Sequence, residues 1–117
     1  MQAIHQILAV AAAIAVVVVV VWTVVLSVTG RPAGLGYARA QVALVGIVAL
    51  AAIVGALVFV SGARPADGLH LLYGAVAILV IPFARSFLRG EARRDTLILL
   101  VAAVALGGVI YRLFATG

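Results

Sequence analysis

The chain has 117 residues, of which 68% are hydrophobic and 9% charged, with a mean hydropathy of +1.39; a soluble domain is roughly half apolar and about a quarter charged. Too little polar surface is available to cover a core in water, which excludes a soluble catalytic domain, a receptor ectodomain and a nucleic-acid module. The net charge of +5 is carried by eight arginines with no lysine, and they flank apolar runs, where anionic lipid and membrane topology account for them. The chain has no cysteine, so disulfides and thiolate chemistry are absent.

Four apolar runs follow in chain order, over residues 4–28, 40–60, 68–84 and 96–114. A bilayer-spanning helix needs about 20 residues, so four spans use about 80 and leave only short connections. The first run contains six consecutive valines, Val16 to Val21. In water these favour a strand, but in hydrocarbon each backbone group must be satisfied within its own segment, which selects a helix. The run has no basic leader and is too long for a cleaved signal, so it is expected to persist in the mature chain.

The first connection, Gly30-Arg31-Pro32-Ala33-Gly34, carries two strong breakers. In the second, Asp67 is placed to cap helix three. Pro82 is expected to kink that helix near its end. Thr23, Ser27 and Thr29 are expected to bond back to their own helix carbonyls. Trp22, Tyr37 and Tyr111 read as an interfacial aromatic belt. No internal repeat is evident.

Topology follows from the arginines. Arg31, Arg39, Arg85, Arg89, Arg93 and Arg94 lie in or beside the connections at residues 30–39 and 85–95, and Arg64 and Arg112 lie opposite. The arginine-rich side is expected to be cytoplasmic, with both termini outside. The sequence therefore predicts a single-domain, all-α integral membrane protein, residues 1–117: a four-transmembrane-helix antiparallel bundle in the cell membrane. An all-arginine basic set suggests a bacterial inner membrane.

None of the three acids falls inside a run, which argues against ion-coupled transport. The side chains suited to ligation are His5 and His70. Each opens a helix, both helices run the same way, and at about 1.5 Å per residue their depths agree to roughly one turn. Ala9 and Gly74 follow them by four residues, Ala52, Gly55, Gly107 and Gly108 line the outer halves of the other helices, and Arg64 and Arg112 share the histidines' side.

Two readings follow. In the first, the histidines are interfacial polar groups and the small residues serve helix packing. The protein is then a non-catalytic accessory or scaffolding subunit whose partners are the lipid bilayer and other membrane subunits or itself, with no cofactor. In the second, His5 and His70 are axial ligands of a b-type haem (or hold a chlorophyll), Gly74 gives the ring room, Arg64 and Arg112 meet the propionates, and the protein transfers electrons near the outer face. A homo-oligomeric pore lined by small residues is a weaker third reading. Two histidines fall short of the three or four protein ligands of a zinc site. The amphipathic segment 85–94 is suited to lipid headgroups or a docking partner.

Overall fold

The computed structural model describes residues 2–62, 64 and 68–117. It is all-helical over them: α1 (Gln2–Thr29), α2 (Leu35–Val60), α3 (Leu69–Arg85) and α4 (Ala92–Thr116). Three helices are long and apolar enough to cross a membrane; α3, with 17 residues, is shorter. Each helix packs against its neighbours in a square, α1 on α2 and α4, α3 on α2 and α4, so α1 and α3 face each other along a diagonal. The bundle measures 48 × 20 × 19 Å.

The packing period is plain once the buried positions are read. They are 12, 16, 19, 23 and 26 on α1; 37, 41, 44 and 48 on α2; 77, 81 and 84 on α3; and 96, 99, 102, 103, 106, 110 and 116 on α4. On α1, α2 and α3 the steps alternate between four and three, and α4 carries the same spacing through 96, 99, 103, 106 and 110, with Ala102 and Thr116 buried besides. That is the heptad spacing that keeps one seam facing the bundle axis, with neighbouring helices inclined by about 20°. The runs are apolar on all sides, so hydropathy along the sequence conceals this seam.

Boundaries differ most where charge begins a helix. Helix two starts at Leu35 and helix four at Ala92, each about one turn before its apolar run, because their first turns carry Arg39 or Arg93, Arg94 and Asp95. Helix three continues through Pro82 to Arg85. Asp67 lies outside the described residues.

Two polar expectations are corrected. Tyr37 is not an interfacial residue: it is 1% exposed, on the seam of α2, with Trp22 edge-on at 5.6 Å. Its hydroxyl has partners inside the bundle, so burial leaves no donor unpaired. Thr23 and Thr29 donate to Val19 O and Val25 O at 2.6 and 2.7 Å, but the Ser27 hydroxyl is buried without a partner among the described residues.

Tyr37 belongs to a directed hydrogen-bond chain across three helices. Arg85 on α3 can only donate, so it fixes Gln41 Oε1 toward itself. Gln41 Nε2 then donates to the Tyr37 hydroxyl at 3.1 Å. Because the Thr23 proton is committed to Val19 O, Tyr37 donates to Thr23 Oγ1 at 2.6 Å. Gln41 and Thr23 occupy seam positions otherwise held by apolar residues. Polar groups at such positions fix register.

Candidate functional site

The antiparallel order gathers the start of α1, the end of α2, the start of α3 and the end of α4 at one end of the bundle. His5 and His70 both lie on the seam, seven residues before the buried Ala12 and Ala77, and reach toward each other across the diagonal. Their ring centroids are 6.2 Å apart and the rings meet edge to face at 76°. The expected agreement in depth is present in the geometry.

Each imidazole is held by the next helix in the same way. His5 Nδ1 lies 3.0 Å from Ala51 O on α2, and His70 Nδ1 lies 3.0 Å from Leu113 O on α4, with Thr116 Oγ1 at 3.3 Å. A carbonyl oxygen only accepts, so both Nδ1 atoms carry the proton and both Nε2 atoms hold the lone pair. Among the described residues no hydrogen bond engages either Nε2. A backbone carbonyl on Nδ1 is the usual partner that orients a metal-ligating histidine.

A glycine makes each approach feasible. Gly55 is four residues after Ala51, and Gly117 four after Leu113. A Cβ on Gly55 would lie 2.8 Å from His5 Cε1, and one on Gly117 2.7 Å from His70 Cε1. The same local device, histidine to carbonyl with glycine one turn on, therefore occurs once in each helical hairpin. The sequence marks both histidines and Gly55 but not Gly117, nor the carbonyls of Ala51 and Leu113 as acceptors. A backbone acceptor has no sequence signature, and a terminal glycine reads as an end.

Gly74 sits one turn below His70 on the same seam, and a Cβ there would meet nothing within 4 Å. The imidazole does not need that glycine, and a Cβ there would be free of contact. Arg64 and Arg112 are at the histidine end, as expected. The Arg64 guanidinium stacks on Phe59 at 4.1 Å and donates to Phe59 O at 2.6 Å, while Arg112 lies 5.6 Å from the Tyr73 ring centre.

Among the described residues no group of three or more His, Cys, Asp or Glu side chains is placed to hold a metal ion. Among the described residues the candidate ligands at this end are therefore the two imidazoles, with ring centres 6.2 Å apart. No protein-family model, curated protein or solved structure matches the chain.

Proposed function

We propose that the chain is a four-span membrane protein whose outer end holds the iron of a b-type haem between His5 and His70, serving electron transfer. The observation that carries this reading is the pair of neighbouring, carbonyl-anchored imidazoles. The ring centres are 6.2 Å apart, close to the separation of about 6 Å that two imidazoles sharing one metal would have with nitrogen–metal bonds of about 2.0 Å. Imidazole nitrogen suits iron. A Cβ on Gly74 would meet no atom within 4 Å, and α2 and α3 form the loosest of the four seams, where a flat group displaces least packing.

Bound haem supplies a one-electron couple. The chain's part is to fix both imidazole tautomers, to hold the rings at a set separation, and to exclude water with apolar helices. Arg64 and Arg112 provide positive charge beside the site.

The accessory-subunit reading draws on the apolar exterior, where residues such as Ile7, Val28, Val42 and Val101 are exposed. A lone bundle in lipid presents the same exterior, so that surface favours no partner. The histidine pair distinguishes the readings. Gly74→Leu tests it, because the added side chain enters the region one turn from His70 where a Cβ meets no atom within 4 Å. The expected result is a folded, membrane-resident protein with little haem, against near-stoichiometric haem in the wild type by pyridine haemochrome assay. Equal haem contents would count against this site.

In this reading α3 crosses as well; its 17 residues lie at the short limit for a span. The arginine-rich end faces the cytoplasm. Single cysteines at Ala33 and Ala115, in a chain with no native cysteine, report the orientation. An impermeant maleimide should label Ala115→Cys and spare Ala33→Cys in intact cells; the reverse pattern inverts the topology.

A further inference from the structure

The opposite end of the bundle carries a second feature. A groove of about 950 Å³ lies between α3 and α4. Its walls are almost wholly apolar, with Val80 and Ala84 on one side and Leu97 and Val101 on the other. From Arg93 to Ala102 it follows α4 for about 13 Å. Leu97 and Val101 remain exposed, so the groove opens sideways, toward lipid in the membrane reading on which this inference rests.

Its rim is basic, with Arg93 and Arg94 on the first turn of α4 at the mouth. Arg94 is held in place: it donates to Phe87 O at 2.9 Å and lies 3.6 Å from Asp95. The Asp95 carboxylate is already engaged, accepting from the backbone N–H of Arg89 and Gly90 at 3.0 and 2.8 Å. Arg93 is exposed and has no ion pair or side-chain hydrogen bond among the described residues. A guanidinium matches the planar, two-oxygen face of a phosphate. Glu91 shares the rim, and within residues 85–95 four arginines stand against two acids.

We infer that this groove is a site for an anionic diacyl phospholipid, its phosphate on Arg93 and Arg94 and one acyl chain along Leu97 and Val101. The charge of the rim and the apolar walls below it select that occupant. A basic pocket between spanning helices on the cytoplasmic side is suited to such headgroups. A soluble acidic peptide would find the basic rim but gain nothing from walls that run into the apolar depth.

Native mass spectrometry of the full chain from micelles containing equal phosphatidylglycerol, phosphatidylethanolamine and phosphatidylcholine tests it. Phosphatidylglycerol should be retained over phosphatidylcholine by about fivefold, the factor for one arginine near an anionic headgroup. Arg93→Gln, on an exposed side chain, should remove that preference. Val101→Trp, which fills the groove, should lower retention of all three lipids. Equal retention of the three by the wild type overturns the site. So does a preference for phosphatidylethanolamine that is lost in Glu91→Gln. Carbonate extraction separates this from the membrane reading. A chain that washes off the membrane defeats both, whereas a chain that stays and shows no lipid preference defeats only this inference.

Discussion

A helix carbonyl is ordinarily screened by the side chain about one turn further on, because helical side chains lean back over the preceding turn. Glycine at that place lets a flat ring reach the oxygen. At Ala51 and Leu113 the protein uses this twice, and in both cases the incoming ring is a histidine. Gly55→Ala should therefore destabilise by about 1–3 kcal/mol, as other overpacked sites do, despite alanine's better helix propensity. In a His5→Ala background the same substitution meets no ring and should stabilise by about 0.5–1 kcal/mol, the propensity gain alone. Thermal unfolding of the four proteins as a double-mutant cycle checks the change of sign. Additive effects would mean that the ring does not rest on Gly55. Gly90 is a different case: its φ of +83° favours glycine for backbone reasons at the turn between α3 and α4.

Among the helices, the shared four-three spacing explains how runs with little internal contrast pack in one arrangement. In α2 nearly every residue is apolar, yet only one stripe is buried. What fixes its rotation is the polar pair Tyr37 and Gln41 on that stripe, tied to Thr23 on α1 and Arg85 on α3. Gln41→Leu removes an acceptor for Arg85 and a donor to Tyr37 together, and should cost about 2–3 kcal/mol, since hydrogen bonds to a charged group and buried partners left unpaired carry the larger penalties. Denaturation in detergent checks it; a loss below about 0.5 kcal/mol would show that apolar packing alone sets the register. The number of apolar segments and their approximate ends were legible in the sequence, because hydropathy and the Gly/Pro breaks mark them directly. Tyr37 was misread because a tyrosine just before an apolar run has the composition of an interfacial anchor. Only the three-dimensional partner set shows that its hydroxyl is satisfied inside. Gln41 did carry a signal: it is an amide at the edge of an otherwise apolar run, and such a group needs a partner.

Over the whole molecule the two ends differ in kind. One end is basic, with a directed hydrogen-bond chain and a groove headed by Arg93 and Arg94. The other gathers two uncharged-capable imidazoles, glycines and the termini of α1 and α4. Thr23 and His5 are 18 positions apart on α1, about 27 Å along the helix, so the polar chain and the histidine pair are separate devices. The pairing of His5 with His70 was foreseeable from matched depth on parallel helices; the anchoring was not, because backbone carbonyls and a glycine on a neighbouring helix have no mark in linear sequence. The proposed role of the pair is to hold haem iron. An absorption spectrum of the detergent-purified protein, expressed with haem available, recorded oxidised and then dithionite-reduced, addresses it most directly. Haem held by the pair should give a sharp Soret band and a low-spin reduced α band, with the α band lost in both His5→Ala and His70→Ala. A colourless wild-type protein, or a haem spectrum unchanged by either substitution, would contradict it.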